Sequence, residues 1–595
     1  MKLPSPGFLL NAFFQAARRF PGALLAAGIG VVAVFALIDN YDKDLCARYW
    51  MVAQLGLPLM IGIVAFVESK GWEEKRSWML QGLGLVALAG YWFVLEPSSS
   101  TFEYTVLPKY LVLLLVAHLF VAVAPYLNRR SVADFWEYNR QVFANIVVGA
   151  VFTLILNTGL SLAILAVDQL FDLTIDNRIY LKLFALLAGI FNTIYFLYHF
   201  PKEYTLSDAD GGYNAIFKNL CKYILIPIVG LYFLILYTYG GKILATWNLP
   251  KGWVSSLVLG FSVAGIFTYL LNFYLPEHDD SAWVRAFRRW FWWVQLPLTA
   301  LLFVAIAKRI GDYGVTEPRF LVAHLGVWLA ATCLYFLFSK HDNIKFIPIS
   351  LALFALLFAF GPFNAMRVSE RSQEKVLLGL LEKNGRLENG RLKQGTTAVP
   401  DSVVFQIQSA LEFLDDRGAL SRMDWLPMPP DSFPSIQFRS RSSAIAAWAG
   451  ITTKSDQLYS HTLAIESTEM KFQQSAEIKG FQAFYSVNLG NELPKTLDDG
   501  NRFGISKDGK RIEWHKISAG KSALLESFDL SRQLQKWTAV NEQSTYESLP
   551  PSDLTFDLIG KKATLRIVAT HVTIGRQPTG PQLQELTGYL FLKEK

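Results

Sequence analysis

Charge is scarce in this 595-residue chain. Only 18% of its residues are Asp, Glu, Lys or Arg, against about 25% in an average soluble domain. The shortfall is concentrated between Phe20 and Phe363, where long apolar stretches alternate with short polar ones. Cysteine is rarer still: Cys46, Cys221 and Cys333 are the whole complement, which excludes a disulfide framework and a thiolate metal site. The chain contains no GxxxxGK[ST], HExxH, GxSxG or CxxC pattern, so the phosphate loop, zinc-protease helix, hydrolase elbow and dithiol pair are all missing. In the last third, His461, His515 and His571 are too widely separated for metal-ligand spacing. They are expected to be ordinary surface or core residues, with no metal and no cofactor. His515 and Glu513, two apart in a predicted strand, share a face and can pair. The serines of this region define no serine–histidine–acid geometry by their sequence positions.

The sequence does have long apolar runs. Eleven windows, near 20–38, 50–67, 79–95, 106–126, 142–167, 180–198, 220–239, 253–275, 290–307, 320–338 and 346–363, approach or exceed membrane length. A hydrocarbon core about 30 Å thick takes roughly 20 helical residues. Without water inside it, backbone polar groups must pair within the segment or around a closed barrel. Continuous apolarity rules out the alternation of a barrel strand. The first window follows Arg18 and Arg19, yet it is longer than a signal-peptide core and has no small-residue cleavage pattern, so it reads as the first spanning helix. The formal charge of +7 reflects basic residues flanking helices. No basic patch with interleaved aromatics appears, so no nucleic-acid partner is expected.

Lysine and arginine placement predicts orientation. The N-terminus and every second connection carry seventeen basic residues, including Lys2, Arg129, Arg130 and Lys340, while the opposite connections carry ten, including Lys251. Basic loops stay in the cytoplasm. The N-terminus is therefore expected inside and, after eleven crossings, the C-terminal region outside. Trp50, Trp72, Trp78, Trp136, Trp247, Trp253 and Trp283 lie near loop boundaries, where indole rings favour the headgroup region.

The fold expected is mainly α: a polytopic bundle over residues 1–365, a helical connector over 366–424, and an extracytoplasmic α+β domain over 425–595. Apolar spacing predicts helices over Ser369–Leu381 and Ser402–Leu414, and the proline-rich Trp425–Pro434 reads as a linker or surface loop. Asp508-Gly509 predicts a hairpin between Phe503 and Trp514. Leu554–Ile559 and Ala563–Ile574 read as paired strands, and Tyr589–Leu592 as an edge strand.

Polar groups inside apolar windows are the best site candidates, because each needs a partner in lipid. Asn157, Ser161 and Asp168 share one helical face, as do Asn192, Tyr195 and His199. His118 lies deep in its window. Thr316 can cap the helix that follows it, with Glu317 and Pro318 in its first turn. Glu317 and His324 share a face near Arg319. Under a transport reading, Asn157 would give polar recognition, Asp168, His199, Glu317 and His324 would handle a cation or proton, and Arg319 would pair with an anion. The alternative at each position is helix–helix contact or helix capping.

Several segments resemble a bacterial group of multi-spanning membrane proteins, the domain of unknown function 4153 family. They are Phe135-Trp136-Glu137-Tyr138-Asn139, Tyr313-Gly314-Val315-Thr316-Glu317-Pro318-Arg319, Ile349-Ser350-Leu351-Ala352-Leu353, Phe360-Gly361-Pro362-Phe363-Asn364-Ala365 and Ser369-Glu370-Arg371-Ser372-Gln373. The resemblance implies an integral protein of a bacterial envelope with a soluble tail, and supplies no activity. Three functions stay open. The first is a scaffold anchored in membrane lipid, whose outer domain binds an envelope protein or polymer. The second is a secondary transporter or lipid-handling protein. The third is a membrane-embedded acyl- or glycosyl-transferring enzyme.

Overall fold

The computed structural model describes Pro6 to Lys595 apart from residues 100, 128–130, 206–214, 247–252, 276–280, 340–341, 398, 434–440, 452–461, 468–480, 491–499, 519–520, 540–545, 551 and 578–579. Lys2, Arg129, Arg130, Trp247, Lys251, Lys340 and His461 lie outside the described residues. The chain divides into two compact units, Met1–Gln373 and Glu374–Lys595.

The first unit is helical. Helix α1 (Pro6–Arg19), which hydropathy did not single out, precedes α2 (Pro21–Ile38). Buried Ala23, Ala26, Ala27, Gly30 and Ala33 give α2 a thin face on which α3 (Lys43–Ser69) packs closely. Asp42 caps α3 by accepting from the backbone N–H groups of Asp44 and Leu45 at 3.0 and 3.1 Å. Then come α4 (Glu74–Val94), a π turn at Phe102–Val106 leading into α5 (Leu107–Val123), and α6 (Val132–Leu170). At 39 residues, α6 is about 58 Å long, more than the membrane needs. Helices α7 (Arg178–Leu186) and α8 (Asn192–Tyr198) form one crossing through a π turn at Leu187–Phe191. A second such junction, at Cys221–Leu225, joins α9 (Ala215–Leu220) to α10 (Ile226–Thr246). The unit continues through α11 (Trp253–Leu271), α12 (Ala282–Tyr313), α13 (Glu317–Phe338), α14 (Phe346–Ala359) and the start of α15 (Ala365–Lys383).

Among the described residues, nine helices are long and apolar enough to cross a membrane. Two shorter apolar helices, Ser255–Leu271 and Phe346–Ala359, fall on the remaining two sequence windows. Large apolar side chains stay exposed along these helices: Val86 is 70% exposed, Leu154 65%, Leu234 65% and Val263 69%. In water such surface would be unfavourable; in hydrocarbon it is the solvated face.

The second unit has two cores. Leu377 and Leu381 of α15 pack with Val404, Ile407, Leu411 and Leu414 of α16 (Asp401–Asp416) and with Ala444 and Ile445 of α17 (Arg441–Trp448). A small hairpin, β1 (Leu387–Glu388) and β2 (Arg391–Leu392), joins them. Trp425 and Phe433, in the stretch expected as a linker or loop, are 5% and 3% exposed and belong to this core. Proline prevents a helix or central strand there, but it does not prevent aromatic rings from burying their large apolar area.

The other core lies on two sheets. Their strands are β3 (Thr462–Ser467), β4 (Ala483–Leu489), β5 (Asn501–Ile505), β6 (Arg511–Ser518), β7 (Lys521–Asp529), β8 (Tyr546–Leu549), β9 (Thr555–Ile559), β10 (Ala563–Gln577) and β11 (Gly580–Glu594). The six-stranded sheet runs β4-β11-β10-β3-β8, with β9 also on β10. Strands β5, β6 and β7 make a separate antiparallel sheet. Helix α18 (Ser531–Ala539) contributes Leu534 and Trp537 to the core. The expected β5–β6 hairpin forms, with Gly509 at φ +66° where only glycine is unstrained. The pair around Gly560 forms too, with Ile559 opposite Thr564. Tyr589–Leu592 is not an edge: it lies within a 15-residue strand paired to β10 on one side and β4 on the other. Glycines and polar residues upstream had masked the strand's true length.

Candidate functional site

One face of α6 carries Asn145, Gly149, Thr153 and Asn157 at four-residue spacing. Asn145 donates through Nδ2 to the His199 carbonyl at 2.6 Å. At Gly149 a Cβ would come within 2.5 Å of Asn192 Oδ1 and 3.2 Å of a Tyr195 ring carbon, so glycine is what lets α8 approach. Thr153 is 6% exposed. Its Oγ1, Asn157 Oδ1 and Asn192 Oδ1 are buried and have no hydrogen-bond partner among the described residues. The predicted face of Asn192, Tyr195 and His199 thus meets α6 at Asn145, Gly149 and Phe152, which lie N-terminal to Asn157, Ser161 and Asp168. His199 turns Nδ1 to the Tyr195 carbonyl at 2.9 Å and lies against that tyrosine's ring, with centroids 4.3 Å apart. Asp168 lies further along α6, where its carboxylate accepts from the Ile175 backbone N–H at 3.0 Å and closes the turn after the helix.

The third predicted group is separate. Arg319 donates to the carbonyls of Tyr313 and Gly314 at 3.0 and 2.7 Å, and its guanidinium lies over the Tyr313 ring. His324 Nε2 faces the Phe354 carbonyl at 2.8 Å, with Phe320, Phe354 and Phe358 around the ring. Glu317 occupies the first turn of α13 with Pro318, as the sequence predicts. Thr316 has the extended backbone of an N-cap, but its side chain makes no cap bond. His118, deep in α5, turns Nδ1 to the Leu114 carbonyl at 2.8 Å.

Sequence reasoning missed a polar knot at one end of the bundle. Arg19 pairs bidentately with Glu68, Nε to Oε1 at 2.8 Å and Nη2 to Oε2 at 2.7 Å. The same guanidinium donates to the carbonyls of Phe200 and Pro201, at 3.0 and 2.6 Å. Tyr204 donates its hydroxyl to Glu68 Oε2 at 2.6 Å, and burial and that carboxylate push its phenol well above the usual range. Tyr126 in turn donates to the Tyr204 carbonyl at 3.1 Å. One arginine thereby joins α1, α3 and the segment after α8. In the sequence Arg19 stands out only as a basic residue before the first apolar window, since pairing across 49 residues has no local sequence signal.

A cavity of about 540 Å³ lies between α5, α6, α11, α13 and α14. Its walls include Leu119, Phe143, Ile266, Phe267, Leu329 and Leu351. Polar side chains are few, and they turn toward protein. Trp136 Nε1 donates to the Leu270 carbonyl at 2.8 Å. Asn139 donates to the carbonyls of Phe135 and Ala122 at 2.8 and 3.2 Å. Arg140 is held by Glu137 at 2.8 Å. Ser262 donates to the Val258 carbonyl at 2.6 Å and accepts from Gln295 at 2.8 Å. With its polar atoms already bonded, such a cavity has little to offer water or an ion, and suits hydrocarbon. None of Asn157, Asp168, His199, Glu317, Arg319 and His324 lines it.

In the second unit, His571 Nε2 faces Thr573 Oγ1 at 3.1 Å, and His515 Nε2 pairs with Glu513 Oε2 at 3.2 Å. Among the described residues no three His, Cys, Asp or Glu side chains are grouped to hold a metal.

The chain is similar to an uncharacterized protein, PM1469, of Pasteurella multocida (strain Pm70), 28% identical over 181 residues. That similarity covers 30% of this chain and 30% of the relative, so the chain matches under a third of the relative's length. No solved structure matches. Residues 15–394 match the family described as Domain of unknown function (DUF4153), a span that includes the helical bundle, the cavity and the Arg19–Glu68 knot, and the chain belongs to that family.

Proposed function

We propose that this chain is a lipid-handling protein of a bacterial inner membrane, whose bundle admits a hydrocarbon chain into the cavity between α6 and α13. The cavity wall carries the reading. It is apolar almost throughout, three of the helices around it (α5, α6 and α13) are long and apolar enough to span a bilayer, and its polar residues are committed to protein partners. An ion path would need unsatisfied oxygens or titratable groups along its length. Here the titratable residues Arg140 and Glu137 neutralise each other. Arg140 is one of the seventeen basic residues expected on the cytoplasmic side from lysine and arginine placement, which supports an inner-leaflet position for the cavity's polar corner.

The test is photolabelling with a diazirine-bearing fatty acid on the full-length protein in detergent. Labelled peptides should come from α6, α11 and α13. Leu329→Trp, which fills the cavity, should remove at least nine-tenths of that labelling without changing the yield of folded protein. Equal labelling of wild type and Leu329→Trp would overturn the reading.

A scaffolding role for the outer domain is a second reading, supported by the division of the chain at Gln373/Glu374. Chemical cross-linking in cells would compare the intact protein with one ending at Gln373. Envelope partners captured equally by both would rule it out.

A further inference from the structure

We infer that the β5–β6–β7 sheet of the second unit carries a serine esterase site, with Ser522 as nucleophile, His515 as its base and Glu513 as the group that orients the base. The site is independent of the bundle cavity. Directly opposed residues of an antiparallel pair share a face. Arg502 therefore stands beside His515, and Gly504 beside Glu513. The register slips between Trp514 and His515. Past that slip the Ser522 hydroxyl lies 3.3 Å from His515 Nδ1. The other ring nitrogen, Nε2, lies 3.2 Å from Glu513 Oε2. A carboxylate accepts only, so Glu513 selects the tautomer with its proton on Nε2 and leaves the Nδ1 lone pair for the serine. Three groups thus form one hydrogen-bonded chain on a solvent-facing sheet, the arrangement required to activate a hydroxyl.

Their surroundings specify the substrate class. The depression that holds them measures about 730 Å³ and is also lined by Arg502, Lys507, Asp508 and Arg511. Asp508 is committed to its own turn, accepting from Ser506 and the Lys510 backbone, and Glu513 to His515. Arg502 and Lys507 are left to face an anion, while the charge of Arg511 is shared with Asp508 and Asp529. Gly504, with no side chain opposite Glu513, keeps the floor open. The substrate expected is an acyl ester bearing a carboxylate or phosphate.

In the reaction, Ser522 Oγ forms a bond to the acyl carbon as its proton passes to His515 Nδ1. The tetrahedral intermediate collapses with cleavage of the ester C–O bond, and the departing alkoxide takes the proton from Nδ1. Water then attacks the acyl-serine, giving its proton to Nδ1. Expulsion of Ser522, which recovers that proton, releases the acid. Ester and water become acid and alcohol, with no other reactant.

The experiment uses the full-length protein in detergent with two probes, a fluorophosphonate and mono-para-nitrophenyl succinate, and neutral para-nitrophenyl acetate as control. Ser522 should be the labelled residue by peptide mapping. Ser522→Ala should abolish labelling and lower hydrolysis of the succinate ester at least about 100-fold, the usual scale for a lost nucleophile–base pair. Being exposed, that position tolerates alanine, and an unchanged thermal midpoint will show that the fold persists. Glu513→Gln should lower kcat with KM unchanged, and Glu513→Asp should restore part of it. Arg502→Gln should raise KM for the succinate ester and leave that for the acetate as in wild type. Hydrolysis by Ser522→Ala at the wild-type rate, or a label mapped elsewhere, would overturn the site. An equal KM change on both esters in Arg502→Gln would overturn the anionic substrate class.

Discussion

Arg19 and Glu68 are 49 residues apart in sequence and meet through two parallel N–H···O bonds of 2.8 and 2.7 Å. Their side chains are 17% and 32% exposed, so water screens the pair only in part. Removing one partner of a buried pair costs about 3–5 kcal/mol, and the residual exposure lowers that to about 2 kcal/mol here. Glu68→Ala should lower the thermal midpoint of the detergent-solubilised protein, and so should Arg19→Ala. The double variant should lose much less than the two single losses combined, because most of either cost is the partner left behind. Additive losses would show that the two groups act independently.

Gly149 and Asn192 test the α6–α8 contact. A methyl at position 149 would come within 2.5 Å of Asn192 Oδ1. Gly149→Ala should destabilise the protein by about 1–3 kcal/mol, the range for overpacking. Asn192→Ala in the same chain should recover at least half of that loss, since it removes the obstructing oxygen. A double variant no more stable than Gly149→Ala would place the conflict elsewhere.

Topology is a third prediction. Alkaline phosphatase fused after Lys595 should be active, because it folds outside the cytoplasm, while a fluorescent protein fused before Met1 should glow. Both follow from the excess of basic residues on alternate connections together with the eleven crossings expected if the two shorter apolar helices also cross. A silent phosphatase paired with a fluorescent C-terminal fusion would show an even number of crossings.

The β5–β6 turn should respond to acid. Hydrogen bonds from the Ser506 hydroxyl and the Lys510 backbone N–H hold the Asp508 carboxyl below the usual carboxylate range. A group depressed in this way stabilises the folded turn above its unfolded pKa, about 3.9. That contribution is lost as the pH falls through the folded value. Hydrogen exchange of the 501–516 segment, corrected for intrinsic rates, should accelerate below pH of about 4. Asp508→Asn should show the faster exchange at neutral pH with little further change on acidification. A pH response unaltered in Asp508→Asn would assign the effect to another group, such as Asp529, which Ser531 also holds low.

Much of the fold was legible in the chain because its signals are local. A run such as Phe20–Ile38 must satisfy its backbone internally whatever its neighbours do, so α2 could be placed within a residue or two. Asp508-Gly509 specifies a turn by its own backbone preferences. Helix α1 escaped because it is amphipathic rather than apolar. Strand β11 was under-read because a long strand paired on both sides need not alternate cleanly. Trp425 and Phe433 were misplaced because burial depends on what arrives from α16 and α17.

The candidate site divides the same way. Spacing alone put Asn157, Ser161 and Asp168 on one face, and Asn192, Tyr195 and His199 on another. Only packing showed that α6 meets α8 through Gly149, that His324 turns to the Phe354 carbonyl, and that the cavity lies elsewhere. A cavity is the space between side chains of five helices, and no one segment encodes it. The cost of unpaired amides in hydrocarbon is incurred residue by residue, so the sequence by itself determined which segments enter the membrane. Which helices and strands touch depends on the fit of surfaces apart in the chain, so the Arg19–Glu68 pair, the apolar cavity and the placing of Ser522 beside His515 were decided by tertiary structure alone.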